Sequence, residues 1–572
     1  MLTQSGTEYV VKCIRTRLQC RGIAQTCSIM GKFIIYQMLP RLWGNLGGKN
    51  TFNGSLEENR SGKFSGIDTI TLEYLRSLGV SCVWYTGIIR HATTADTGGC
   101  RASSPDWVKG RAGSPYAITD YYDVNPYLAD NPENRLQEFR DLVRRTHEAG
   151  LKVIMDFVPN HVARDYAEFT SARPNPTGMR DLGRDDDKSV HWKPENDFFY
   201  YPGKELVLPV SSQSYREFPA KASGNSYTAE PAPTDWYDTV KLNYCDTHTG
   251  TWDKMLDIVR YWISQGVDGF RCDMVELVPS EFLKWLISGV KQERSAILFI
   301  AEVYQKPLYS KYIREVGFDF LYDKSGMYDI VRTIVEKNFD ESGSPVEEWQ
   351  SARRLTWNWQ FLGDLQPYML NFLENHDEQR FASEFYGKDA EKSFAALYAS
   401  LLFNQAPFML YAGEEIGERG MDHEGFSGED GRTSIFDWWS PSSLSKLYRY
   451  IHGESEALSE KEAGLLEKYR RALTFSVNDK AVSSGSTYDL CYCNYSSEGF
   501  NPDCHFAFLR DFGNETLLVV CNFSASDADI EIRIPEHAFQ WLQMPESDAL
   551  DHNRPVSVHV PAMSGTAVTL CQ

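Results

Sequence analysis

Four segments of the chain close an apolar run with clustered polar side chains: Asp156-Phe-Val-Pro-Asn160-His161, Gly269-Phe-Arg271-Cys-Asp273, Ala301-Glu302-Val303 and Asn375-His376-Asp377. Brought to one place they supply the carboxylates Asp273, Glu302 and Asp377, the arginine Arg271 and the histidines His161 and His376. Cleaving a glycosidic bond with retained configuration needs one carboxylate to attack the anomeric carbon. A second carboxyl must protonate the leaving oxygen and then activate water. Two of these acids can form that pair. An arginine beside the attacking carboxylate keeps it ionised, and neighbouring negative groups raise the acid's pKa so that it keeps a proton near neutrality. Arg271 stands two residues before Asp273, so strand alternation puts both side chains on one face and turns Cys272 away into core packing.

Convergence requires a scaffold. Apolar runs at 33–39, 82–86, 153–157, 269–274, 298–303, 318–322, 368–373 and 408–411 alternate with amphipathic stretches such as 133–149, 282–292, 327–337 and 390–404. That alternation predicts an α/β chain folded as a (β/α)8 TIM barrel, in which the C-terminal strand ends meet at one pocket. Between 163 and 240 the sequence is rich in Pro, Gly, Asn, Ser and aromatics, too long for a bare loop in a compact domain, which predicts a small inserted domain over 164–240 after the third strand. Beyond 482 the pattern changes to short alternating runs, among them 516–522 and 530–534, as in an antiparallel β-sandwich over 483–572. The barrel is then built from 30–163 and 241–482. Residues 1–29 carry neither helix nor strand periodicity and read as a disordered extension, or as a start assigned too far upstream, with the functional polypeptide beginning near Met30.

Bulk composition narrows the partners. A formal net charge of -21 repels phosphate backbones and anionic headgroups, so neither nucleic acid nor membrane is an expected partner, whereas a neutral sugar chain is compatible. Twelve cysteines occur without a CxxC pair, and no stretch reads as a signal peptide or a membrane span, which together predict a cytoplasmic protein with reduced thiols.

The four segments, in this order, resemble the signature regions of the α-amylase family of glycoside hydrolases. The similarity runs from about Phe33 into the C-terminal sandwich and includes Ser114-Pro-Tyr116-Ala-Ile-Thr-Asp120-Tyr121 and Tyr411-Ala-Gly413-Glu414-Glu415. The resemblance implies that Asp273 is the nucleophile, Glu302 the general acid and base, and Asp377 the carboxylate that grips sugar hydroxyls as the ring distorts. It implies further that Arg271 orients Asp273, that His161 and His376 donate to the sugar at the cleavage site, and that Tyr116 stacks beneath it. Asp156 and Asn160 are expected to support the inserted domain.

Two departures from the family pattern stand out. After the nucleophile come Met274, Val275, Glu276 and Leu277, where many α-amylases carry lysine and histidine at the last two positions to hold the leaving chain. In Val240-Lys241-Leu242-Asn243, Lys241 stands where a calcium-binding aspartate belongs, so no calcium is expected at the junction of barrel and insertion. Its ammonium is expected to reach Asn160 and Asp156 instead. No cofactor is expected. The likeness implies a hydrolase of α-1,4-glucan, maltodextrin or glycogen-type substrates. It leaves open a 4-α-glucanotransferase, an α-glucosidase or debranching enzyme, and a catalytically inactive glucan-binding or transporter-associated relative.

Overall fold

The computed structural model describes residues 32–166, 182–245, 247–338, 344–422, 428–513, 515–544 and 551–571. The expected extension over 1–29 and the expected start near Met30 lie outside them.

Eight parallel strands close into a barrel, each paired with the next in sequence and the last with the first. They are β1 (Ile34–Met38), β2 (Val80–Tyr85), β3 (Lys152–Phe157), β4 (Gly269–Cys272), β5 (Leu298–Ala301), β6 (Phe320–Tyr322), β7 (Met369–Phe372) and β8 (Phe408–Tyr411). Every residue in them is buried except Ser81 and Lys152. The interior is filled by side chains and the outside is covered by helices, which is why the strands read as continuous apolar runs rather than as alternations. Gln37, Asp156 and Arg271 interrupt those runs, and all three belong to the site described below.

The covering helices follow from apolar residues three and four apart. In α2 (Arg135–Glu148), which follows α1 (Thr69–Ser77), the buried residues Phe139, Leu142, Val143 and Thr146 form one stripe facing the sheet. Further round lie α3 (Gly250–Ser264), α4 (Ser280–Glu293), α5 (Asp329–Asn338), α6 (Arg353–Leu362) and α7 (Phe394–Leu402). Sequence and structure part at a few borders. β6 begins later than the apolar run, because Gly317, at φ 97, closes the preceding turn and Asp319 turns its carboxylate to the Phe299 N–H. A π-helical turn, Lys324–Tyr328, leads into α5, and a 3-10 turn, Ala390–Lys392, precedes α7.

The insertion leaves and re-enters the barrel side by side, since His161–Ala163 pairs antiparallel with Thr239–Lys241 and sets His161 opposite Lys241. A small apolar cluster of its own joins Leu206, Leu208, Ala220 and Ala229 to Trp107, which arrives from the loop after β2. At the C-terminal end, β9 (Ser486–Asp489), β10 (His505–Phe512), β11 (Glu515–Asn522) and β14 (Ser564–Cys571) form one antiparallel sheet, while β12 (Ala528–Ile532) and β13 (Val556–Val560) form a second. Buried Arg510 of β10 ties this region to the barrel by donating to the carbonyls of Phe403, Val482 and Gly485 at 3.1, 2.6 and 2.8 Å. Among the described residues no helix is long and apolar enough to cross a membrane.

Candidate active site

Arg271 is the centre of the pocket at the C-terminal strand ends. Its side chain is 1% exposed, and its guanidinium lies over the rings of Trp84, Tyr116 and Tyr322 at 5.4, 5.3 and 5.8 Å. Aromatic faces hold the planar cation by cation–π attraction while leaving its edges free for oxygen. Nη1 donates to Asp273 Oδ1 at 2.7 Å and, more weakly, to Asp156 Oδ1 at 3.5 Å. Nη2 lies 2.8 Å from Glu302 Oε2 as an ion pair that is not aligned as a hydrogen bond. One fork therefore bridges Asp273 and Glu302 from adjacent strands.

A turn with unusual backbone completes the link. Met274 leaves β4 in the left-handed region, at φ 43, and this turns its N–H onto Glu302 Oε2 at 2.9 Å. A non-glycine residue held there stores strain, which neighbouring contacts must offset. The other oxygen, Oε1, accepts the phenol of Tyr304 at 2.6 Å. Glu276, in the turn that Met274 opens, accepts the backbone N–H groups of Tyr304 and Gln305 at 3.1 and 3.0 Å.

His376 is buried and donor and acceptor at once: Gln37 Nε2 lies 2.8 Å from its Nδ1, and Tyr116 OH and Asp377 Oδ2 face its Nε2. With Gln37 donating to Nδ1, the ring's proton sits on Nε2. Burial and the nearby Arg271 push its pKa well below the usual histidine range, so the ring is neutral. Asn375 Oδ1 accepts the N–H groups of Asp377 and Glu378 at 2.8 and 3.0 Å, fixing the turn that carries Asp377.

Crowding negative groups in a low-dielectric pocket has the expected effect. Burial and the charge of Glu302 push Asp377 up to about 7, against the pull of Arg271. Burial pushes Asp156 up to about 6 and raises Asp273 well above the usual carboxylate range, with Arg271 opposing in both cases.

Most of the residues singled out by sequence meet here: Asp273, Glu302, Asp377, Arg271, His376 and Tyr116. One assignment needs correction. Asp156 supports the arginine rather than the insertion, accepting from Trp84 Nε1 at 3.1 Å and Tyr116 OH at 3.4 Å besides Arg271. His161 rests against Trp236 of the insertion, with ring centroids 5.1 Å apart, and next to Asn160; burial first and then Lys241 push it down to about 3. Asn160 does tie the insertion to the barrel, donating to Gly224 O at 2.9 Å and accepting the Lys241 ammonium. The second partner of Lys241 is the Leu277 carbonyl at 2.8 Å, not Asp156. Burial pushes Lys241 down to about 7.

A family model for the alpha amylase catalytic domain matches residues 37–441, the span that runs from the end of β1 through β8 and holds every residue of this pocket. The chain belongs to the α-amylase family of glycoside hydrolases. Among its curated relatives in that family, the oligo-1,6-glucosidase of Bacillus cereus is 22% identical over 601 residues, covering 91% of this chain and 94% of that protein. The glucan 1,6-alpha-glucosidase of Streptococcus dysgalactiae subsp. equisimilis is 24% identical over 421 residues, 68% of this chain and 65% of the relative. Among solved structures, a cyclic alpha-maltosyl-(1-->6)-maltose hydrolase from Arthrobacter globiformis superposes with a TM-score of 0.61 at 17% identity, covering 95% of this chain and 98% of the other. At that identity the likeness speaks for the fold.

For this α-amylase family enzyme, sequence reasoning passed over Gln37, Trp84, Tyr304 and Tyr322. Each lies at the C-terminal end of a barrel strand or just beyond it, the one positional signal that marks them, but none has a residue type that announces chemistry.

Proposed function

We propose that the enzyme hydrolyses α-linked glucans, of the α-1,4-glucan, maltodextrin or glycogen type, by double displacement with retained configuration. The observation that carries this reading is the bridging of Asp273 and Glu302 by the two amino groups of Arg271. A single guanidinium spans the pair, which fits the close carboxyl spacing of retaining enzymes, roughly 5–5.5 Å, better than the wider gap that an inverting enzyme leaves for water. Asp273 attacks the anomeric carbon and forms the glycosyl ester, and Glu302 gives its proton to the leaving oxygen. Glu302 then takes a proton from the water that cleaves the ester. Arg271 and Tyr116 shape the floor, neutral His376 donates from Nε2 to the bound sugar, and Asp377 holds its hydroxyls. His161 donates to the sugar at the cleavage site, as its place in the first of the four segments implies.

A second reading shares the pocket. Glu276 is turned back onto the backbone of Tyr304 and Gln305, so it offers the leaving chain no grip of the kind expected at that position. This favours short or branched substrates, and with them α-glucosidase, debranching or 4-α-glucanotransferase action. Incubation with maltoheptaose, starch, pullulan and isomaltose separates the readings by product chromatography, and proton NMR of the first-formed product reads the anomer. The α-anomer is expected, and β-anomer as first product contradicts the mechanism.

We further infer that calcium plays no part at the junction with the insertion, because the oxygen of Asn160 that would face it already accepts an ammonium. The proposed location is the cytoplasm, which suits thiols at eight cysteines, five of them buried.

A further inference from the structure

The two oxygens of Glu302 have different neighbours. Oε2 accepts the Met274 N–H at 2.9 Å and faces Arg271 Nη2 at 2.8 Å, so it is committed to donors on its own side of the pocket. Oε1 carries a single partner, the phenol of Tyr304 at 2.6 Å. A proton delivered to a leaving oxygen must come from the carboxyl oxygen not already saturated by fixed donors, and that is Oε1. Tyr304 therefore sits on the oxygen that the reaction uses. The backbone that carries it is held: Glu276 clamps its N–H and the next one, from the turn that the left-handed Met274 opens.

We propose that Tyr304 is a positioning residue for the acid and base carboxyl, donating its phenol to Glu302 Oε1 and thereby setting the alkaline limb of the enzyme's pH profile, with Glu276 as the clamp on the backbone that carries it. This rests on the reading of Glu302 as general acid and base. A hydrogen bond donated to a carboxylate favours the ionised form. Tyr304 thus steadies Glu302 in the half-reaction where it must be a base, and yields Oε1 when the glycosidic oxygen arrives. The phenol itself stays protonated, because burial and the charge of Glu302 raise its pKa. The other groups facing Glu302 are Arg271 and Asp273 from β4 and its end, Asp156 from β3, Tyr322 from β6 and Asp377 beyond β7. All of them remain in place when the phenol alone is changed.

The test is the pH profile of kcat/KM with maltoheptaose for the parent, for Tyr304→Phe and for an enzyme carrying 3-fluorotyrosine at 304. Loss of the donor moves the alkaline limb up by about one pH unit. The more acidic fluorophenol donates more strongly and moves the limb down, on an unchanged ring that keeps the test valid if Tyr304→Phe folds poorly. A limb that stays at the parent's position in both overturns the proposal. Glu302→Gln, assayed on maltoheptaose and on an aryl glycoside whose leaving group needs no proton, separates the two layers. Loss on the first, with a retained burst of aryl release on the second followed by slow steady-state turnover because the base is missing, upholds Glu302 as acid and base. Full turnover of both overturns that reading and this proposal with it.

Discussion

Two buried arginines each collect carboxylates at the C-terminal strand ends, and only one of them makes a candidate active site. Arg380 is complete: Nε donates to Thr433 Oγ1, Nη1 to Glu374 Oε2 and Nη2 to Ala412 O, each at 2.9 Å, with the ring of Tyr411 3.8 Å away. The other Glu374 oxygen accepts the Phe381 N–H at 2.7 Å, and nearby Glu415 takes the phenols of Tyr36 and Tyr74, each at 2.8 Å. Arg271 is incomplete, with Nε unpartnered and Nη2 out of line. Buried arginine–carboxylate groups are common structural devices, so burial of an acid is weak evidence of chemistry. Hydrogen-bonding capacity left open toward a pocket is stronger evidence, because native interiors otherwise fill it.

The contrast is open to test from its largest expected effect downward. Asp273→Asn and Glu302→Gln, which barely change side-chain volume, are expected to lower turnover of maltoheptaose by several orders of magnitude with an unchanged circular dichroism spectrum. Near-normal activity in pure Asp273→Asn would remove the assignment. Arg380→Met strands Glu374 in the interior and is expected to cost about 3–5 kcal/mol in urea unfolding, while kcat of the folded fraction stays within about tenfold of the parent. Parent-like stability in that variant would erase the difference between the two clusters.

Lys241→Met leaves the Asn160 and Leu277 oxygens without their donor and is expected to cost about 1–3 kcal/mol. Excess chelator is expected to leave the parent's melting temperature and activity unchanged. A chelator-induced loss restored by calcium contradicts the calcium-free junction. The smallest effect concerns Asp377. Its pKa of about 7 in the folded protein stands above the unfolded value, so its contribution to stability is present below about pH 4 and is lost as pH rises through 7. Asn carries no such loss. Asp377→Asn is therefore expected to match the parent's melting temperature at pH 4 and exceed it at pH 8, at the expense of activity, and a gain that is equal at both pH values contradicts this.

The barrel was legible because strands covered on both faces must be apolar along their length, and Arg271 and Asp273 were legible because alternation fixes their common face. Tyr304 and Glu276 were not. Their pairing depends on the left-handed turn at Met274, which no residue type there signals, and on how the loops after two adjacent strands meet. Asp156 was misread for a similar reason, since whether it turned to the insertion or to Arg271 depended on where Trp84 stood. For Lys241 the sequence pointed to Asn160, while its second partner is a backbone carbonyl, a group every residue carries and no sequence pattern singles out.

The central claim is that Asp273 forms a covalent bond to sugar while Glu302 manages the proton. A 5-fluoro-α-glucosyl fluoride slows breakdown of the ester more than its formation, so brief incubation, acid quench, pepsin digestion and mass spectrometry read the trapped residue directly. One added fluoroglucosyl group is expected on the peptide containing Asp273, localised to that side chain by fragmentation and absent from Asp273→Asn. A label on any other residue, or undiminished labelling of Asp273→Asn, would contradict it.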